Sequence, residues 1–188
     1  MPAASRVPWR ALILSTTLAT AAAIATVAVL ADDDPADEPA VVSLDPADDL
    51  PSLDEVGFTT FEGEEVALSS LRGGPVLVNF FASTCIPCIT EMPAFEEVHQ
   101  ELGDQVTFLG LAAAGDRPED AQALVDDTGV TYRTARDVDG DVMTALGGTL
   151  LPTTVLLDAE GEVVARHAGE LDADEVRALL AEALEPSP

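Results

Sequence analysis

Two cysteines, Cys85 and Cys88, lie where a short apolar strand pattern changes to a helical one. Residues 75–82 read PVLVNFFA, and such a run of β-branched and aromatic residues predicts a buried strand. From Cys88 to Leu102, apolar residues recur at spacings of three and four, which predicts an amphipathic helix. Residues 106–113 predict a second buried strand. Strand, helix and strand in this order predict a βαβ unit, whose two strands are parallel.

Two further helices are predicted from the spacing of acidic residues at their N-termini. Asp116 and Glu119 have the spacing of a capping box, in which each side chain accepts a hydrogen bond from the other residue's backbone N–H. The same spacing recurs at Asp172 and Glu175, before an apolar stripe that extends to Leu184. We therefore predict a crossover helix after the second strand and a final helix near the C-terminus.

Short strand patterns account for most of the remaining domain. They lie at 58–61 and 66–68, at 130–135, and at 153–157 and 162–168, and a short helical pattern lies at 141–146. The first and last pairs predict β-hairpins because turn residues separate their members. The predicted fold class is α/β, with a central mixed β-sheet flanked by helices and an accessory N-terminal β-hairpin.

The N-terminal 31 residues have the character of an export segment. Arg6 and Arg10 precede the run 11–31, which is uncharged and just long enough to span a bilayer. This pattern favours a transmembrane anchor, while the small residues before Asp32 also fit a signal peptide cleaved near Ala31. Either interpretation predicts a domain on the extracytoplasmic face of the cytoplasmic membrane, or one that is secreted.

Acidic residues follow this segment and are abundant throughout the chain. Residues 32–50 contain eight acids and three prolines and predict a disordered linker ahead of a folded domain at 51–188. The whole chain has 35 acids, eight arginines, no lysine and a net charge of −27, which excludes electrostatic binding to nucleic acid. The acids are spread over the domain, which favours adaptation to high salt or GC-rich coding over an acidic docking surface.

The position of the cysteine pair predicts its chemistry. At a helix N-terminus, unpaired backbone N–H groups and the helix dipole stabilise a thiolate, so we predict that Cys85 attacks disulfides. Cys88, one turn later, can then resolve the mixed disulfide. Two alternatives are a structural disulfide and part of a metal site. The second alternative would need His99 or His167, which lie far from the pair in sequence, so we predict neither metal ligands nor a cofactor.

Several motifs together resemble a known family. PVLVNF precedes FASTCIPCxxEMP around the cysteines, and further matches are LxxLxG at 68–73, LPTT at 151–154 and DxxG at 158–161. Over about residues 53–184, these motifs resemble the membrane-tethered TlpA-like and ResA-like branch of the thioredoxin superfamily. The resemblance implies a thioredoxin fold that faces the outside of the cytoplasmic membrane and exchanges disulfides with other proteins.

The resemblance also implies roles for individual residues. Pro152 matches the family's cis-proline, which lies against the cysteines and presents backbone groups to a substrate peptide. Glu91 matches an acid that exchanges protons with Cys88, although an exposed helix acid is an alternative interpretation. Asn79 replaces the buried acid of thioredoxins, and Pro93 matches the proline that kinks the active-site helix. The predicted catalytic residues are Cys85, Cys88, Glu91 and Pro152.

The function implied by the resemblance is reduction of disulfides in exported proteins. Examples of substrates are apocytochrome c during cytochrome c maturation and copper-site proteins during oxidase assembly. The resemblance also implies a membrane thiol carrier as electron donor, and we expect the enzyme to be a monomer. Thr84 and Ile86 differ from residues common in relatives and leave the direction of electron flow open. The alternatives are a disulfide donor of the same fold and a metal-binding or metal-delivery module. A peroxidase is disfavoured because it needs Pro and Thr where Val78 and Ala82 stand.

Overall fold

Residues 53–184 form a folded domain around one sheet of seven strands. The computed structural model of the chain describes residues 53–184. The predicted export segment at 1–31 and linker at 32–50 lie outside these residues. No helix within 53–184 has the length and apolar character needed to cross a membrane.

The strands follow the order β2-β1-β5-β4-β3-β6-β7 across the sheet. Strands β3, β4 and β5 are parallel to one another, and the other neighbouring pairs are antiparallel. The predicted mixed sheet and parallel βαβ unit are therefore confirmed. The strands are β1 (Gly57–Thr59), β2 (Glu65–Ala67), β3 (Val76–Phe81), β4 (Thr107–Ala112), β5 (Arg133–Arg136), β6 (Thr153–Leu157) and β7 (Val163–Ala168).

The N-terminal hairpin is part of the main sheet. Strands β1 and β2 pair with each other, as predicted, and β1 also pairs with β5 through Thr59 and Arg136. A 3₁₀ helix at Leu68–Leu71 follows β2. The helices are α1 (Ile86–Leu102), α2 (Pro118–Thr128), α3 (Asp141–Ala145) and α4 (Ala173–Leu184).

Apolar side chains cover both faces of the sheet, because alternate strand residues point to opposite sides. On one face, Leu77 and Phe81 pack with residues of α1, α2 and α4. On the other face, Val78 and Phe80 pack with the N-terminal hairpin and α3. Asn79 lies between Val78 and Phe80 and therefore points to the same face as Leu77 and Phe81, toward α1.

The two predicted capping boxes have opposite outcomes. At α4, the N–H of Asp172 donates to the Glu175 carboxylate and the N–H of Glu175 donates to the Asp172 carboxylate, both at 2.9 Å, so this prediction is confirmed. The prediction at α2 is wrong. The N-cap residue there is Arg117, which makes no side-chain capping bond among the described residues. The Asp116 carboxylate instead accepts hydrogen bonds from Ser83, on the loop that follows β3.

Candidate active site

The cysteine pair lies at the C-terminal end of β3, where the chain turns into α1. The N–H of Cys85 donates to the Ala82 carbonyl at 3.0 Å, which closes a turn between strand and helix. Cys85 is the N-cap of α1, and Pro87 lies in the first turn, where a missing N–H costs no helical hydrogen bond. Cys85 and Cys88 form a disulfide, and the N–H of Cys88 points at the Cys85 Sγ at 3.3 Å. The backbone donor predicted beside the first cysteine is present.

The two sulfur atoms have different environments. Cys85 is half-buried, whereas Cys88, in the first turn of α1, is fully buried against the core. The residue between them that faces solvent is Ile86, which is 75% exposed. A partner molecule therefore reaches the pair from the side of Cys85. The attacking and resolving roles remain predictions that this asymmetry supports.

Glu91 is buried one turn after Cys88. Its side chain is 1% exposed, so the interpretation of Glu91 as an exposed helix acid is wrong. The Asn79 amide nitrogen donates to Oε1 at 2.8 Å, and the Leu171 N–H donates to Oε2 at 3.3 Å. Burial raises the pKa of Glu91 to about 7, and these two hydrogen bonds limit the rise, while the nearby charge of Glu170 adds to it. Glu91 can therefore gain or lose a proton near neutral pH.

Asn79 connects Glu91 to a second strand. Its amide nitrogen also donates to Thr154 Oγ at 3.3 Å, and both side chains are fully buried. Within residues 53–184, the Asn79 side-chain oxygen has no hydrogen-bond partner. Sequence reasoning identified Asn79 only as a replacement for an acid, and it assigned nothing to Thr154 or to the Leu171 N–H. The LPTT motif was the available signal for Thr154, which stands two residues after Pro152.

Pro152 lies at the same end of the sheet as the cysteines. The Leu151–Pro152 peptide bond is cis, the isomer that the resemblance implied. The next residue, Thr153, pairs with Phe80 at the end of β3, and Leu151 packs against the core cluster that also contacts Cys85. The four predicted catalytic residues are thus brought to one end of the sheet, and their chemical roles remain predictions.

The surface around the cysteine pair includes three exposed large apolar side chains. The large apolar side chains exposed there are Ile86, Ile89 and Leu150, which are 75%, 38% and 49% exposed, and the smaller Thr84 and Thr90 are exposed beside them. Ile86 and Ile89 lie on the first turn of α1, and Leu150 precedes the cis-proline by two residues. Such a surface can pack against the apolar side chains of an extended peptide.

The histidines lie apart from the pair. His99 is half-buried, and its ring contacts Phe108 and Tyr132 with centroid distances of 5.3 and 5.8 Å. His167 lies on β7. In the described part of the chain, no group of three or more His, Cys, Asp or Glu side chains is arranged to hold a metal ion.

The chain is similar to known proteins in both sequence and architecture. The chain is 36% identical over 109 residues to the thiol-disulfide oxidoreductase ResA of Halalkalibacterium halodurans, an alignment that covers 57% of this chain and 61% of that relative, or less than two thirds of its length. The structure of MTB dsbF in its mixed oxidized and reduced forms has a TM-score of 0.64 and 27% identity, covering 71% of this chain and 98% of that one.

A second solved structure is that of a secreted Mycobacterium tuberculosis disulfide oxidoreductase homologous to E. coli DsbE. It has a TM-score of 0.60 and 25% identity, and covers 69% of this chain and 96% of that one. Fold and site together define a thioredoxin-fold protein of the thiol-disulfide oxidoreductase class. The sequence model of the Redoxin family matches residues 45–182, and the chain belongs to that family.

Proposed function

We propose that this protein is an extracytoplasmic thiol-disulfide oxidoreductase that reduces disulfides in exported proteins. The observation that carries the proposal is the asymmetry of the pair: Cys85 is half-exposed at a helix N-terminus, and Cys88 is sealed in the core one turn before the buried Glu91. An exposed nucleophile and a protected second thiol are what a two-step disulfide exchange requires.

The reaction begins with the reduced pair. The Cys85 thiolate attacks one sulfur of a substrate disulfide, which breaks that bond, forms a mixed disulfide and releases the other substrate sulfur as a thiolate that takes up a proton. Cys88 then loses its proton and attacks the Cys85 sulfur. The substrate leaves as a dithiol, and the Cys85–Cys88 disulfide forms, so two electrons have passed to the substrate. The Glu91 carboxylate is the group we assign to accept the Cys88 proton.

The first turn of α1 supports reduction as the direction of electron flow. A strongly oxidising pair has a reduced form that is stabilised, chiefly through a stable thiolate. Here the residues between the cysteines are Ile86 and Pro87, which supply no cation, and Pro87 has no N–H to donate. On the side of Cys88, the neighbouring titratable group is the buried Glu91, an acid that supplies no positive charge. These features stabilise a thiolate weakly and keep the reduction potential low.

The location and partners belong to the same proposal. The apolar run at 11–31 supports export, as a transmembrane anchor or as a signal peptide cleaved near Ala31. The name ResA carried by a relative and the secreted location stated for a structural neighbour give further support. We assign apocytochrome c or copper-site proteins as substrates and a membrane thiol carrier as the source of electrons.

Trapping of mixed disulfides tests the proposal. Cys88→Ser keeps the attacking thiol and removes the resolving one, so the variant should accumulate covalent adducts with exported proteins that dithiothreitol releases. Cys85→Ser should accumulate few or none, because Cys88 is buried. Identification of the adducts by mass spectrometry names the substrates. Equal trapping by both variants, or stoichiometric metal on the purified wild-type pair with no adducts from Cys88→Ser, would contradict the proposal.

A further inference from the structure

The loop that carries Cys85 is bonded to the side chain of Asp116, which lies on the loop that follows the neighbouring strand β4. Ser83 lies inside the turn that the Cys85 N–H closes on Ala82. The Ser83 N–H donates to one Asp116 carboxylate oxygen at 2.6 Å, and the Ser83 hydroxyl donates to the other oxygen, also at 2.6 Å. Both carboxylate oxygens are thus occupied by a single residue two positions before Cys85.

Asp116 is itself fixed by backbone geometry. The parallel pairing of β3 and β4 continues beyond the strands, because the Ala113 N–H donates to the Phe81 carbonyl at 2.8 Å. The chain then turns, and the Asp116 N–H donates back to the Ala113 carbonyl at 3.1 Å. Gly115 occupies this turn with φ of 87°, a conformation that residues with a Cβ rarely adopt. The carboxylate is therefore presented to Ser83 from a turn attached to the sheet.

We propose that Asp116 is a positioning residue for Cys85, and this inference rests on the proposed function, in which Cys85 attacks. Two hydrogen bonds to one carboxylate fix the direction of the Ser83 backbone as well as its position. The turn from Ala82 to Cys85 can then rotate only if both bonds are lost. Cys85 is in this way held at the N-cap of α1, where its sulfur faces the Cys88 N–H.

The charge of Asp116 and its hydrogen bonds have opposite effects on the reactivity of Cys85. A carboxylate near the helix N-terminus disfavours a neighbouring thiolate by repulsion, so removal of the charge alone would make Cys85 more reactive. Loss of the hydrogen bonds loosens the turn and would make Cys85 less reactive. A substitution that removes the charge and keeps the bonds therefore separates the two effects.

Asp116→Asn and Asp116→Ala form such a pair. In Asp116→Asn, the amide oxygen can accept from the Ser83 N–H, and the amide nitrogen can donate to the Ser83 hydroxyl oxygen, so both bonds are retained without charge. Asp116→Ala removes both bonds. Asp127→Ala is the control, because it removes one negative charge from an exposed position of α2.

The measurement is the rate at which iodoacetamide alkylates Cys85 in the reduced full-length chain, followed against pH by mass spectrometry. At neutral pH we expect Asp116→Ala to react about tenfold more slowly than the wild type, with its pH midpoint shifted upward. Asp116→Asn should react at the wild-type rate or up to about twofold faster, and Asp127→Ala should stay within about twofold of the wild type. Ser83→Ala, which removes only the hydroxyl bond, should slow the reaction about threefold. This variant replaces Asp116→Ala as the test if Asp116→Ala does not fold.

Two results would overturn the inference: equal rates for Asp116→Ala and Asp116→Asn, or a faster reaction in Asp116→Ala. A rate in Ser83→Ala equal to that of the wild type would do the same where Asp116→Ala cannot be measured. A different result would contradict the proposed function: a wild-type chain that does not reduce protein disulfides, whatever the alkylation rates of the Asp116 variants.

Discussion

The cysteine pair has an outward side and an inward side, and the two are built from different chemistry. On the outward side, Cys85 is half-exposed beside Ile86, an apolar residue that is 75% exposed. On the inward side, Cys88 is fully buried on the core-facing side of α1, and Glu91 and Asn79 form a hydrogen-bonded acid–amide pair that is also buried. The difference supports the proposed division of tasks, in which partner proteins contact the outward side and Glu91 exchanges protons on the inward side.

The largest expected effect is a difference between the two cysteines in the rate of the first exchange step. In a stopped-flow assay with an oxidised protein substrate, Cys85→Ser should lower the rate of the first exchange step by at least about a thousandfold, because the thiolate is the nucleophile. Cys88→Ser should keep that step within about tenfold of the wild type and lose release of the reduced substrate. If Cys88→Ser lost the first step and Cys85→Ser kept it, the inward and outward sides would be reversed.

The second effect concerns the stability of the inward side. The pKa of Glu91 rises from 4.5 to about 7 on folding because the carboxyl is buried. Below pH 4.5 the group is protonated in both states, and its contribution to stability is fully present. As the pH rises from 4.5 to 7, the unfolded chain loses the proton and the folded chain keeps it, so the free energy of unfolding falls.

Glu91→Gln removes this titration. Relative to that variant, the wild type should lose about 3 kcal/mol of unfolding free energy between pH 4.5 and 7 and little more above pH 7. Urea unfolding of the oxidised proteins at several pH values provides the measurement. A difference between wild type and variant that stays constant across this range would mean that Glu91 does not titrate in the folded protein.

The third effect tests whether Asn79 sets the proton affinity of Glu91. Asn79→Ala removes a donor at 2.8 Å from the carboxylate, so the pKa of Glu91 should rise by about one further unit. The pH profile of the second exchange step, in which Cys88 releases the substrate, should move upward by the same amount. In the background of Glu91→Gln, Asn79→Ala should not shift that profile at all. A shift that persists in the double variant would place the effect on another group.

The smallest effect should appear on the outward side. Ile86→Ser removes an exposed apolar contact, so KM for an unfolded protein substrate should rise by about threefold, with the unfolding free energy unchanged. Val164→Ser is the control, since Val164 is 49% exposed at the end of β7 that lies away from the cysteines. Equal effects of the two substitutions on KM would mean that the surface near Cys85 does not contact the substrate.

The fold was predictable where local chemistry decides the structure. The β3–α1–β4 unit is present within a few residues of its predicted bounds, because short β-branched and aromatic runs mark the buried strands and apolar periodicity marks the helix. The capping box at α4 formed from two residues only three positions apart, whose carboxylates bond each other's backbone N–H groups. The box predicted at α2 did not form, because the Ser83 loop, distant in sequence, takes the Asp116 carboxylate. Spacing along the chain contains no information about such a contact.

The same limit applies to the candidate site. Cys85, Cys88 and Pro152 were identified from motifs that lie on the chain itself. The burial of Glu91 was not predictable, because it depends on β3 and on the segment before α4 packing over that face of α1. The bonds from Asn79 to Glu91 and to Thr154 join residues 12 and 75 positions apart, which only the folded sheet brings together.

The most direct test of the central claim is the reduction potential of the Cys85–Cys88 pair in the purified protein. Equilibration against thiol–disulfide buffers, followed by alkylation and mass spectrometry, gives the fraction of the pair that is oxidised at each buffer potential. A reductant with a weakly stabilised thiolate should have a potential near that of thioredoxin, about −270 mV. A potential near about −120 mV would identify a disulfide donor and contradict the account.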